Sequence, residues 1–230
     1  PEPKTGLEAM YNFVYGFDGD EISYRYARLD YVTGSGIIEK SVAIRWERML
    51  MTGRKLLPPK PSVPGQESLK HRELYYFVEP FDIRGVGNLV IRYVDQRKFD
   101  DSYAYLPSVR RIRRLSATQK DDALAGTDYA IQDFREFNDR LVAWDFKILA
   151  KHKPMLAVLH SGHTDEFSKT RKPLPLYPGT AFPVMKWEVH PDTWVIEATP
   201  KDKERIYAKK IIVLDGYTWL PLHTGVYDRQ

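Results

Sequence analysis

The five residues Arg110-Arg111-Ile112-Arg113-Arg114 put four guanidiniums into one short stretch. A guanidinium is always charged, and its planar fork of donors matches a carboxylate or a phosphate. The stretch follows Tyr103–Leu106 and a turn at Pro107, so it reads as the return strand of a hairpin. Side chains alternate along a strand. Arg110 and Arg114 should therefore share a face with Ile112, and Arg111 and Arg113 should take the other. One face of a curved sheet looks inward, so one of these pairs is expected at its concave side. Two chemistries are open there. One is ion pairing with carboxylates such as Asp121, Asp122, Asp128 or Asp133; the other is an anion clamp for a phosphate or carboxylate headgroup. A one-residue shift of register exchanges the two rows, so both pairs stand as headgroup candidates. The net charge is only +4, and no nucleic-acid partner is expected.

His160-Ser161-Gly162-His163, with Asp165 or Glu166, is a second place where residue types could do chemistry. Two histidines three residues apart can share a metal. Here they sit in a Gly- and Ser-containing loop, without the helical H-E-x-x-H pattern of a zinc hydrolase. Ser161 lacks the G-x-S-x-G elbow that exposes a hydrolase nucleophile. There is no cysteine, so thiolate catalysis and thiolate metal ligation are excluded. The sequence therefore leads to no metal, no cofactor and no enzymatic activity.

The elements that would position these residues are mostly strands. Thr5-Gly6-Leu7-Glu8 is a capping box, and Leu7, Met10, Tyr11, Val14 and Tyr15 follow at helical spacing, which predicts a helix ending near Gly16. Glu21–Val32 and Ile37–Arg48 alternate around the turn Thr33–Gly36 and predict a long hairpin. Residues Thr52–Gln66 hold four prolines and read as a surface loop. Arg72–Ile83, Asn88–Asp95, Ser102–Leu106 and Val109–Leu115 read as further strands. A short helix is predicted from Asp128 to Phe137. Strands then follow at Leu141–Ala150, Met155–Leu159, Phe182–Val189, Thr193–Thr199, Tyr207–Leu214 and Tyr217–Leu222, the last two joined at Asp215-Gly216.

A chain with 43% hydrophobic and 29% charged residues can bury a core, and 230 residues suffice for one large β-rich domain. No apolar run reaches the about 18 residues of a membrane-spanning helix. The chain opens at Pro1 and ends at Gln230, and it reads as a product trimmed at both ends. So many meandering strands should curl. The predicted fold class is mainly β: a curved antiparallel sheet forming an incomplete, half-open barrel, with two or three short helices on its concave side. Inward-facing residues of the strands are the candidate cavity lining: Tyr24, Tyr26, Val42, Ile44, Trp46, Leu89, Ile91, Tyr93, Trp144 and Trp194. Thirteen per cent aromatic residues suit such a lining.

Several phrases taken together resemble one family. They are PKTGLEAMYNF (3–13), YLPSVRRIRRLS (105–116), GTDYAIQDF (126–134), WVIEATPKDKERIYAKKIIVLDGYTW (194–219) and VYDRQ (226–230). The chain resembles domain-of-unknown-function family 1329, whose members are often labelled outer-membrane lipoprotein-sorting proteins, within the LolA/LolB lipoprotein-carrier superfamily. The resemblance covers nearly the whole chain and implies one LolA-like domain over residues 1–230. It implies an exported protein in the periplasm or at the inner face of the outer membrane. It also implies traffic in a lipid or other hydrophobic molecule, in the company of a resistance-nodulation-division type exporter. An inner-membrane transporter or an outer-membrane protein would be the macromolecular partner. The alternative is a non-enzymatic structural or adaptor protein that docks to such a partner with its half-barrel filled by its own side chains. No catalytic residues come with the family.

Overall fold

The computed structural model describes residues 2–16, 19–116, 130–160, 172, 173, 175–184 and 186–229. It is mainly β, with ten strands in two antiparallel sheets and no pairing that closes either sheet into a barrel among the described residues. The strands divide into a six-stranded and a four-stranded sheet where the sequence suggested one continuous curved sheet. The chain forms two compact units. One comprises Pro1–Gly16, Lys120–Gly162 and Met185–Gln230; the other comprises Phe17–Gln119 and His163–Val184. Among the described residues no helix is long and apolar enough to cross a membrane.

The six-stranded sheet belongs to the second unit. It runs β1 (Glu21–Val32), β2 (Ile38–Leu50), β3 (Leu69–Glu79), β4 (Gly87–Tyr93), β5 (Asp101–Leu106) and β6 (Arg111–Leu115), each paired with the next. Such a meander follows from short turns rich in Gly and Pro, which leave antiparallel neighbours as the nearest partners. The proline-rich loop after β2 is held from inside. The Arg54 side chain, 3% exposed, donates to the carbonyls of Leu50 (2.8 Å), Pro59 (3.0 Å) and Pro58 (3.3 Å) and to Glu21 (3.1 Å). Asp20 accepts from the backbone N–H groups of Lys55 (2.8 Å), Leu56 (2.6 Å) and Leu57 (2.6 Å).

The four-stranded sheet belongs to the first unit and runs β7 (Trp144–His160), β8 (Lys186–Pro200), β9 (Tyr207–Asp215) and β10 (Pro221–Asp228). β7 and β8 are single long strands where the sequence divided each in two. Pro154 and Pro191 fall inside them, and β7 absorbs the interruption with register shifts on both sides of Lys153. The hairpin at Asp215 is longer than the two-residue turn expected. Asp215 accepts from Tyr217 N (3.0 Å) and Thr218 N (2.7 Å), and β10 begins only at Pro221.

Helix α1 (Gly6–Val14) has the predicted capping box: Glu8 N–H donates to Thr5 Oγ1 at 3.2 Å, and Glu8 reaches back to the Thr5 N–H. Its buried Ala9, Met10 and Phe13 join Phe137, Leu141, Trp144, Trp194, Ile196, Ala198, Ile212 and Leu214 in one core. Gly6 lets the helix approach: a Cβ there would lie 2.7 Å from the Phe146 carbonyl carbon.

The predicted helix Asp128–Phe137 is instead a 3₁₀ segment, Ile131–Glu136, broken by non-helical Phe134 and by Arg135 at φ 53°. Its proposed caps Thr127 and Asp128 lie outside the described residues. The cause is a buried ionic cluster that outcompetes helical geometry. Asp133 accepts from Lys210 Nζ (2.5 Å), Tyr207 Oη (2.6 Å) and its own segment's Ala130 N (2.8 Å). Lys210 is fully buried on the same strand phase as Ile212 and Leu214, with Nζ 6.0 Å from the Trp144 ring centroid. Beside it Asp139 pairs with Arg205 (2.5 Å) and accepts from Trp144 Nε1 (2.8 Å).

Candidate ligand-binding face of the six-stranded sheet

Strand register assigns the side chains of the six-stranded sheet to two faces. Cross-strand partners share a face. One row runs Tyr24–Trp46–Tyr75–Asn88–Ala104–Arg113, the next Ile22–Arg48–Glu73–Val90–Ser102–Leu115, and a third Leu50–His71–Arg92. Val42, Ile44, Trp46, Tyr75, Phe77 and Val90 on this face are each at most 8% exposed. At its margin Tyr24 is half exposed and stacks on Trp46 with ring centroids 5.3 Å apart.

Next to the apolar strip the same face carries charge. Arg48, His71, Glu73 and Arg92 are all at most 7% exposed. Arg92 forks onto Asp100, with Nη2 2.8 Å and Nε 3.2 Å from Oδ2. Glu73 Oε1 accepts from Trp46 Nε1 at 2.7 Å, and the Arg48 guanidinium lies 6.0 Å from the Trp46 ring centroid. Asn88 and Ser102 bond each other at 3.2 Å. Among the described residues, neither ring nitrogen of His71 nor the second carboxylate oxygen of Glu73 has a hydrogen-bond partner. Burial pushes the His71 imidazole well below its usual pKa, and the cations Arg92, Lys70 and Arg48 add to the effect, so this ring is neutral.

The opposite face is more open. Its central row is Ser23–Glu47–Leu74–Leu89–Tyr103–Arg114, flanked by Met49–Arg72–Ile91–Asp101. Ser23, Glu47, Met49, Arg72, Leu74 and Leu89 border a groove of about 450 Å³, which Ile22, Arg48 and Glu73 also line. Tyr93 Oη donates to Asp101 at 2.6 Å, and Arg114 pairs with Asp101 as well.

The structure distributes the sequence-predicted residues over several places. Tyr24, Val42, Ile44 and Trp46 lie together on the buried face. Leu89, Ile91 and Tyr93 lie on the open face, because β4 buries Asn88, Val90 and Arg92 instead. Tyr26 sits at a bulge in β1, and its hydroxyl donates to Glu79 at 2.8 Å. Trp144 and Trp194 are core residues of the other unit. Arg110 is in the turn before β6 at φ 49°, so the strand begins one residue after it. Arg111 and Arg113 fall on the buried-face phase and Arg114 on the open-face phase, and all three are exposed on the last strand of the sheet. The arginine pair expected at the concave side is exposed, on a strand with no neighbour beyond it among the described residues. Asp101 pairs with Arg114, and Asp133 pairs with Lys210; Asp121, Asp122 and Asp128 lie outside the described residues. So do Ser161, His163, Asp165 and Glu166. Among the described residues no three His, Cys, Asp or Glu side chains are grouped to hold a metal.

Sequence reasoning missed Arg48, His71, Glu73 and Arg92. Charged residues at alternate positions read as a solvated face, whereas here they occupy the buried one. The usable signal was the Tyr75–Phe77 phase of β3, which fixes His71 and Glu73 on the same side.

A family model described as "Protein of unknown function (DUF1329)" matches residues 1–230. A solved domain from Vibrio parahaemolyticus, named for outer membrane lipoprotein sorting, is similar over 97% of this chain and 72% of its own, at 20% identity and a TM-score of 0.58. A DUF1329 family protein from Desulfovibrio piger ATCC 29098 matches over the same shares at 18% identity and a TM-score of 0.61. These two likenesses bear on the fold. A LolA superfamily protein, NE2245 from Nitrosomonas europaea, aligns over 99% of this chain and 73% of its own at 14% identity; its TM-score of 0.47 is too low to bear on the fold. No curated protein matches the chain.

Proposed function

We propose, from the premise that this chain belongs to the DUF1329 family, that residues 1–230 work as one LolA-like domain and carry a lipid or other hydrophobic ligand through the periplasm without catalysing a reaction. The observation that carries this reading is the buried face of the six-stranded sheet. Val42, Ile44, Trp46, Tyr75, Phe77 and Val90 make it apolar, and His71 and Glu73 leave it with polar atoms that no described residue satisfies. Natural interiors rarely leave such atoms unpaired, so this face has room in its hydrogen bonding for an ordered water or for the polar end of a guest. Burying an acyl chain gains about 0.8 kcal/mol per methylene, so ten methylenes outweigh any single hydrogen bond of about 1 kcal/mol. Of the arginine strand, Arg111 and Arg113 are the pair on the phase that could meet a guest from this face. The name of the Vibrio relative agrees with an envelope role. An exporter of the resistance-nodulation-division type is the proposed inner-membrane partner, on the family resemblance alone.

The test is native mass spectrometry of protein purified from a lipid-containing host, with uptake of a fluorescent fatty acid as a second readout. Co-purified lipid and saturable uptake weakened by Trp46→Ala are expected. A ligand-free protein that takes up no probe sinks the reading.

The adaptor alternative draws on the other face, where Leu74, Tyr105 and Ile112 are 37%, 41% and 70% exposed. An apolar band of this kind fits a protein partner in the envelope. Cross-linking from position 112 in envelope extracts would capture that partner. If Ile112→Lys abolishes capture and leaves lipid uptake intact, the two roles are separate.

A further inference from the structure

The polar island on the buried face says what kind of headgroup the guest carries; this rests on the carrier reading above. Arg48 and Arg92 supply two positive charges, and Glu73 and Asp100 supply two negative ones, so the island is neutral overall. The Arg92 fork is already spent on Asp100. A phosphate or carboxylate brought here would meet the Glu73 carboxylate, while a cation would meet Arg48 and Arg92; either charge gains little.

The unmet demand is for hydrogen bonds. Neutral His71 presents one N–H donor and one bare acceptor nitrogen, and Glu73 Oε2 presents an acceptor. The two side chains are two residues apart on one strand face, so their Cα atoms are separated by about 7 Å. A hydroxyl both donates and accepts, and a pair of hydroxyls on one small group answers all three atoms. Trp46 and Tyr75 adjoin them through the cross-strand rows, so an apolar tail would start beside the headgroup.

We propose that His71 and Glu73 form a binding site for an uncharged, polyhydroxyl headgroup, of the glycerol or sugar type, on the carried lipid. The arginine strand, exposed at the sheet margin, is not this site.

The experiment compares three probes of equal chain length on the full chain: a monoacylglycerol, the free fatty acid and a lysophosphatidic acid. Dissociation constants are measured by displacement of a fluorescent fatty acid. The monoacylglycerol should bind at least about tenfold more tightly than either anion, as expected when buried polar groups lose their partner on the wrong ligand. His71→Phe, which leaves the Trp46–Glu73 hydrogen bond in place, should bring that ratio close to one. The wild-type ratio needs no variant and stays decisive if a variant fails to fold. Equal or tighter binding of the anions overturns the headgroup assignment and leaves the carrier reading standing. A co-crystal structure in which only water meets His71 and Glu73 overturns the assignment in the same way. Failure of all three probes to bind overturns both.

Discussion

Replacing Lys210 by Met is the sharpest test of what holds the four-stranded unit together. Met keeps most of the side-chain volume and the apolar contact with Trp144, so little cavity is created. What disappears is the charge 2.5 Å from Asp133 and the weaker donations to the carbonyls of Gln132 and Glu136 at 3.4 Å. Asp133 then loses its counter-charge and keeps Tyr207 Oη and Ala130 N as donors among the described residues. Stranding one partner of a buried ion pair costs about 3–5 kcal/mol. One tenfold step is about 1.4 kcal/mol, so amide protection across β9 and the Ile131–Glu136 segment should fall by about two to three and a half orders of magnitude. Native-state hydrogen exchange read by mass spectrometry resolves these peptides from those of the six-stranded sheet. Adding Asp133→Asn removes the stranded charge yet keeps an acceptor for Tyr207 and Ala130, so the double variant should recover most of the loss. A single variant that loses less than about 1 kcal/mol would show that this pair is not what anchors the segment. A double variant no better than the single would show that charge is not the cause.

Three further outcomes follow from the geometry. The His71 pKa is lowered in the folded state, so the unfolded chain binds the extra proton. Stability from this group is complete above the ordinary histidine value of about 6.5 and is lost as pH falls below it; His71→Phe should flatten the stability–pH profile between about pH 6.5 and 5 in urea titrations. Burial raises the Asp20 carboxyl, but donation from Leu57, Lys55 and Leu56 N–H and the Arg54 charge outweigh it and hold the pKa below the ordinary value. Its contribution is present above about pH 4 and lost as pH falls further, and Asp20→Ala should expose the amides of residues 55–57 to rapid exchange at pH 7. Gly6→Ala should push α1 off β7 at a cost of about 1–3 kcal/mol, seen as a lower urea midpoint with an unchanged slope.

Much of this architecture was legible in the sequence. The capping box at Thr5–Glu8 and the alternation through Glu21–Arg48 gave α1, β1 and β2 within a residue or two, because local propensity and burial agree there. Segments failed where a long-range partner dictates local geometry. Ile131–Glu136 has the spacing of a helix, but Asp133 is drawn to Lys210 and Tyr207 on a strand far along the chain. The division into two sheets leaves no local trace, since every turn looks alike whether or not the next strand continues the ladder. In β4 the apolar Leu89, Ile91 and Tyr93 looked like the inner phase. The inner phase is Asn88, Val90 and Arg92, because pairing of Gly87 with Tyr76 sets the register against β3. The candidate site was half visible: Trp46, Ile44 and Val42 announced themselves by hydrophobicity, while His71 and Glu73 looked like surface residues.

The core beneath α1 has a timetable. Ala9, Met10 and Phe13 leave the ribosome long before Trp194, Ile196, Ile212 and Leu214, on which they rest. The six-stranded meander between Glu21 and Leu115 pairs only sequence neighbours and can assemble in the meantime. Throughout that interval a short greasy helix waits without its seat, the kind of segment that chaperones grip in newborn chains. Folding of the four-stranded unit is thereby tied to the arrival of β9.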